Sequence, residues 1–227
     1  MNFARQSDLV NQTKISSPCI SLIGCGAIGS TVAMALVKMG VNNFILYDED
    51  GVDEINLPNQ MYRTKDLGKF KAEALEEIIK EYNDKVMVSA HNCHYTDQPL
   101  SIIVIVCTDS MYSRKLVWKE FQNQVQAQVL IEARMGAEEG QIYTIHKSMG
   151  ISGVLTVENF DFYTERLYSD EQANPAPCTA KAIIYNVFMI ASLVCRAFKA
   201  VVHNELFPRE VVFGISNIHK YSFQIRD

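Results

Sequence analysis

No two of the six cysteines, at positions 19, 25, 93, 107, 178 and 195, are spaced C-x-x-C. This spacing argues against a four-cysteine structural zinc site, and no zinc site is expected. Their scatter, mostly inside apolar runs, suits free thiols in a reducing compartment, so the cytoplasm is expected. The chain also lacks an excess of positive charge. Its net charge is −5 and its pI is about 5.6. That argues against a broad nucleic-acid or anionic-membrane surface, although not against a local basic pocket. Met1 to Ser17 is polar and has no apolar signal core. Internal repeats and low-complexity tracts are missing too. The most apolar late segment, Ala182 to Cys195, contains Asn186 and Ser192 and is followed by Arg196, so it is too short and interrupted for a membrane span. What remains is 227 residues at 48% hydrophobic and 21% charged content, enough for one sizeable α/β domain.

The most informative stretch is Gly24-Cys25-Gly26-Ala27-Ile28-Gly29. It follows the apolar run Cys19 to Ile23 and opens a helical pattern from Ile28 to Met39. A strand that feeds a glycine turn into a helix N-terminus makes a phosphate cradle, because backbone N–H groups point outward there and the helix dipole favours anions. A second apolar run, Phe44 to Tyr47, ends in Asp48-Glu49-Asp50, where an acid can bind a ribose hydroxyl. A nucleotide site is therefore expected.

The wider pattern predicts strands near 19–23, 43–47, 85–90, 101–107 and 128–133, with helices near 27–39, 69–82 and 111–124. Such alternation predicts a doubly wound, Rossmann-like α/β fold with a mostly parallel sheet. From about residue 140 the rhythm changes. Gln141 to His146 and Ser152 to Val157 read as strands without intervening helices, which predicts an antiparallel C-terminal extension. Residues 158–177 read as a long surface crossing. Ala180 to Val202 has helical spacing and a wide apolar face, to be buried in the domain or against a second copy. Val211 to Phe213 and Tyr221 to Ile225 read as a closing hairpin. The expected division is an N-terminal arm, 1–17, and a single nucleotide-binding domain, 18–227, with a crossover loop near 158–178.

Further motifs follow the glycine loop in order. They are Asp48-Glu49-Asp50-Gly51-Val52-Asp53, then Asn56-Leu57-Pro58-Asn59-Gln60, then Gly68-Lys69-Phe70-Lys71, then Cys107-Thr108-Asp109-Ser110. Arg5-Gln6 precedes them, and Arg134-Met135-Gly136 with Gly140-Gln141-Ile142 follows. Together these resemble the ThiF/MoeB/HesA-type adenylyltransferases and the adenylation domain of ubiquitin-activating enzymes. The resemblance covers most of the chain. It implies ATP-dependent adenylation of the C-terminal glycine of a ubiquitin-like or sulfur-carrier protein, with magnesium. In that reading Gly24, Gly26 and Gly29 approach the nucleotide, Asp48 binds the ribose, and Lys71 reaches the nucleotide and its phosphates. Asp50 and Asn56 join the nucleotide site, and Asp109 holds magnesium. Arg5 matches an arginine that reaches across a homodimer to the far phosphates. Pro177-Cys178-Thr179 resembles the segment whose cysteine takes the activated acyl group as a thioester, which implies a conjugating enzyme as a further partner. A cysteine at a helix N-terminus also has a lowered pKa.

This sequence departs from the family pattern at two places. Asn59 stands where an arginine is usual, and Ser110 stands for an asparagine. Arg63, four residues beyond Asn59, is a candidate replacement. Arg114 aligns with a basic position of the family, although an exposed helix arginine explains it equally well.

Taken singly, several of these residues have plainer readings. Lys71 is a surface lysine at a helix start, Asp109 a helix N-cap, Arg5 a tail charge and Asp53 a solvated acid. Cys25 and Cys107 read as packed thiols. Trp118, Phe160, Phe162 and Tyr163 read as packing residues, the last three also as a grip for a partner's tail. His91-Asn92-Cys93-His94 hints at a metal, but strand alternation splits its ligands and no fourth is near. Two other functions stay open: an NAD-dependent oxidoreductase on the same fold, and a non-catalytic subunit of a heterodimeric activating enzyme, which Asn59 favours.

Overall fold

Eight strands form one sheet in the order β3-β2-β1-β4-β5-β6-β7-β8. They are β1 (Cys19–Ile23), β2 (Asn43–Tyr47), β3 (Met87–His91), β4 (Ile103–Val106), β5 (Val129–Gly136), β6 (Glu139–His146), β7 (Glu210–Gly214) and β8 (Ser222–Arg226). This computed structural model describes residues 1–147, 157–169, 182–215 and 222–226. The first five strands pair in parallel, and β5 to β8 pair antiparallel. The expected doubly wound sheet with an antiparallel extension is thus observed.

Helices α2 (Ala27–Met39), α3 (Lys71–Tyr82) and α6 (Ile184–His203) cover one face. The other carries α4 (Met111–Asn123) and α5 (Val157–Thr164). Burial on both faces explains the unbroken apolar run of β4: Ile103 and Ile105 join the first core, Val104 and Val106 the second. The sheet's hairpin from β5 to β6 turns through Ala137, whose φ is +49°.

The N-terminal arm is docked. Val10 and Ile15, the latter on the short helix α1 (Gln12–Ser16), are buried in the first core. Gln6 and Gln12 donate side-chain hydrogen bonds to the carbonyls of Lys38 and Met39, which the end of α2 leaves without helical partners. Gly40 ends α2 at φ +107°, and a Cβ there would meet the Gln12 amide at 1.7 Å.

The C-terminal third departs from the sequence pattern. Part of the expected crossing 158–177 is helix α5, with Tyr163 wholly buried. The expected strand Ser152 to Val157 lies outside the described residues except for Val157, which opens α5. The late helix begins at Ile184 instead of Ala180, because Ala182 bridges to Ala137 and Ile183 is extended. That helix has the length and hydropathy of a membrane span, but its apolar side packs on α2, β5 and β6. The hairpin of β7 and β8 forms as expected.

Candidate nucleotide site

Strand β1 lies between β2 and β4, so the chain leaves it toward one edge through α2 and returns on the other side with β4. That reversal opens a crevice at the carboxyl ends of β1 and β4, the usual ligand position in such sheets. The glycine loop fills one wall of it. Gly24 has φ +92° and donates its N–H to the Tyr47 carbonyl at 2.9 Å. A Cβ on Gly24 would sit 2.7 Å from the Cys107 carbonyl oxygen, and one on Gly29 would sit 1.9 Å from the Gly24 oxygen. Those two glycines are required by packing. Gly26 is different: a Cβ there would meet nothing within 4 Å, so its bareness leaves open space at the N-terminus of α2.

Asp48 anchors the loop. Its Oδ2 accepts the Cys25 N–H at 2.6 Å and its Oδ1 accepts the Asp50 N–H at 2.9 Å. Burial raises its carboxyl pKa, against the pull of those two N–H groups and of Lys71. Each oxygen retains a lone pair for a ligand hydroxyl. Residues 48–52 then run beside 68–71. The Val52 N–H donates to the Lys69 carbonyl, and the Lys71 N–H donates to the Asp50 carbonyl, both at 2.8 Å. This pairing brings the buried Lys71 ammonium to Asp50 at 2.7 Å. The Asp50 carboxylate is mostly exposed, so the pair faces solvent on the acid's side.

Tyr62 ties these parts together. Its hydroxyl donates to the Cys25 carbonyl at 2.6 Å and lies 3.1 Å from the Lys71 carbonyl. Burial, with Cys25 and Asp48 close by, holds the phenol protonated. Burial likewise pushes the thiols of Cys25 and Cys107 up, which disfavours the thiolate in both.

The opposite wall is the loop after β4. Ser110, not Asp109, caps α4 by accepting the Ser113 N–H at 3.1 Å. Asp109 is exposed, and among the described residues its carboxylate makes no hydrogen bond or ion pair. The Thr108 Oγ1 is buried without a partner. Of the two readings of Arg114, the exposed helix arginine does not hold. Arg114 is 7% exposed and donates to the Thr108 and Asp109 carbonyls. Its Nε lies 2.7 Å from Oε1 of the wholly buried Glu132.

Other expected residues go elsewhere. Asn56 accepts the Asp53 N–H at 2.9 Å in a capping box, so Asp53 is a cap as well as an exposed acid. Arg63, the candidate replacement for the missing arginine, has its guanidinium held by Asp66, at 2.8 and 3.0 Å, and by Glu81. Arg5 lies near the C-terminal end of α2, since Gln6 bonds Lys38. The thirteen-residue helix puts the glycine loop roughly 20 Å away. Cys178 lies outside the described residues. No metal-binding group of His, Cys, Asp and Glu occurs among the described residues. His91 stacks on Tyr47 and His94 pairs with Glu49 at 3.3 Å. Trp118 and Tyr163 pack edge to face, and Phe162 lies under Arg166.

Residues 2–224 match the ThiF family. The chain belongs to the ThiF family. Among curated ThiF-type relatives, the adenylyltransferase and sulfurtransferase uba4 of Aspergillus clavatus is 32% identical over 119 residues, 49% of this chain and 24% of that one. A probable molybdopterin-synthase adenylyltransferase of Gracilaria tenuistipitata var. liui is 26% identical over 216 residues, 91% of this chain and 54% of that one. The chain spans about a quarter of the first relative's length and about half of the second's. A crystal structure of E. coli MccB with ATP shares the fold, with a TM-score of 0.70 and 18% identity over 95% of this chain and 67% of that one.

Tyr62 and Glu132 had no role in the sequence reading. No spacing rule marks Tyr62. Glu132 does carry a signal, an acid that interrupts the apolar start of β5 two residues before Arg134.

Proposed function

We propose that the chain is an ATP-dependent adenylyltransferase that activates the C-terminal glycine of a ubiquitin-like or sulfur-carrier protein. One observation carries this reading. The glycine loop, Asp48 and the Lys71–Asp50 pair form one bonded unit at the crevice, and Gly24 lies against the loop that bears the unpaired Asp109. The open space at Gly26 and the orphaned Thr108 hydroxyl suit a nucleotide. Asp48 would accept from the ribose, and Lys71 would face the phosphates. Asp109, an exposed hard-oxygen donor, fits magnesium, which would neutralise phosphate charge when bound. In the reaction a carboxylate oxygen of the carrier bonds to the α-phosphorus and the bond to pyrophosphate breaks. Positioning and positive charge are what such a site supplies.

The finer steps are part of the same proposal. Cys178 Sγ, as thiolate, attacks the acyl carbon and releases AMP, ready for a conjugating enzyme. Arg5, far from its own glycine loop, serves the site of a second copy in a homodimer. ATP–pyrophosphate exchange with small carrier proteins ending in glycine tests the central claim. Exchange that requires both carrier and magnesium is expected, and tight NAD binding without exchange would overturn it. For the later step, a thiol-sensitive conjugate should form and vanish in Cys178→Ala.

A second reading has one observation behind it. Asn59 replaces an arginine, and Arg63 is occupied by Asp66 and Glu81. A chain short of phosphate-side charge suits the non-catalytic half of a heterodimer. It predicts nucleotide binding with no exchange until a second chain is added.

A further inference from the structure

One buried acid on β5 sits between the nucleotide crevice and the packed far side of the sheet. Glu132 is wholly buried and lies on the face covered by α4 and α5. Its carboxylate meets Arg134 through two parallel bonds, at 2.7 and 2.8 Å. It also accepts the Tyr163 hydroxyl at 2.6 Å. The Arg114 Nε reaches the same Oε1 at 2.7 Å, but that N–H is not aimed at it and has no hydrogen-bond partner. Arg114 is therefore held by charge on this side and by hydrogen bonds on the other. On that other side its two terminal nitrogens donate to the Thr108 and Asp109 carbonyls. The same side chain thus sets the backbone that carries the unpaired Asp109 carboxylate.

We infer that Glu132 is a positioning residue for the Asp109 loop, acting through Arg114. The inference rests on the nucleotide reading above. Two guanidinium groups share one buried carboxylate. Without its negative charge they repel each other, and Arg114 is pushed against its bonds to the Thr108 and Asp109 carbonyls. The Thr108–Asp109 backbone would then lose the fork that fixes it, and a metal bound through Asp109 would lose a preset ligand. Arg134 has anchors of its own, the Arg166 carbonyl at 2.9 Å and the Tyr143 ring, and it is through Arg114 that the repulsion reaches the Asp109 loop.

The test measures Mn²⁺ binding by electron paramagnetic resonance, on the full chain with a non-hydrolysable ATP analogue. Glu132→Gln keeps size and should weaken Mn²⁺ binding to the nucleotide complex at least fivefold, while metal-free affinity for the analogue changes less than twofold. Glu210→Gln is the matched control. It breaks the Arg166–Glu210 ion pair of 3.1 Å, away from the Asp109 loop, and should leave Mn²⁺ affinity unchanged. Equal Mn²⁺ affinity in Glu132→Gln and the parent would overturn the inference, as would an equal loss in Glu210→Gln. If Glu132→Gln does not fold, Arg114→Lys carries the test: it keeps the charge but loses the two-carbonyl fork, and it should show the same fivefold loss. Parental affinity in that variant would overturn the inference too. A parent chain that shows no metal-dependent nucleotide binding would overturn the nucleotide reading itself, an outcome distinct from a parent that binds and variants that match it.

Discussion

The charges around the glycine loop and those around Glu132 differ in how completely they are paired. Lys71 has one acidic partner, Asp50, whose carboxylate is mostly exposed, and Asp109 has none among the described residues. Glu132, by contrast, is wholly buried and meets two arginines and a tyrosine. A cluster with unmet valence at a crevice is available to a ligand. A buried carboxylate that takes three hydrogen bonds and lies against a second arginine holds shape. The contrast teaches that burial and partner count, more than charge, separate a site from a strut.

The largest effect should come from the available cluster. Lys71→Met should cut ATP–pyrophosphate exchange by about 10²–10³-fold, the usual loss on removing one preorganised charge. Its unfolding free energy should change by only about 1 kcal/mol, as for a pair with an exposed partner. A large stability loss without loss of exchange would erase the distinction.

Glu132→Ala should do the opposite and destabilise the fold by about 3–5 kcal/mol in urea, since it strands two buried guanidinium groups. The pH dependence sharpens the point. Burial raises the Glu132 pKa, but the charges of Arg134 and Arg114 and the bonds from Arg134 and Tyr163 outweigh it, and the net shift is down from 4.5. Its stabilisation is therefore full above that ordinary value and is lost as pH falls through the lower folded value. Asp48 has the reverse sign. Burial raises its pKa above 3.8, so the folded state binds a proton first and acidification through that window adds stability. Urea midpoints between pH 6 and 3 should fall in the parent and flatten in Glu132→Gln.

The smallest effect separates two glycines. Gly29→Ala should lower stability, because its Cβ would overlap the Gly24 carbonyl. Gly26→Ala should leave the urea midpoint nearly unchanged and raise the KM for ATP about tenfold, since it fills only open space. Equal stability losses in both would show that Gly26 is also a packing residue.

The parallel half of the molecule was legible in the sequence. Its strands are continuous apolar runs and its helices have caps and period, so β1, β2, β4, α2 and α4 lie close to the expected positions. The C-terminal third was less so. Helix α5 is short and aromatic, and short apolar stretches look alike as strand or helix. Expected site residues split the same way. Gly24, Asp48 and Asp109 follow strand ends and Lys71 opens α3, where motif order has a physical meaning. Arg63 and Arg114 sit elsewhere; Asp66 is a local partner three residues from Arg63, but Glu81 and Glu132 come from contacts that spacing does not encode.

The sequence by itself determined the strand-loop-helix of the glycine turn, the acids that follow β2, and the family to which the chain belongs. These are local: a turn needs its glycines and a strand its apolar run, whatever lies across the sheet. Only the tertiary structure decided which charges are free. Arg63 read as a replacement for the missing arginine and Arg114 as a family basic position or an exposed helix arginine, yet the fold sets Arg63 against Glu81 and buries Arg114 against Glu132, because a buried guanidinium is tolerated only where the fold brings it a carboxylate.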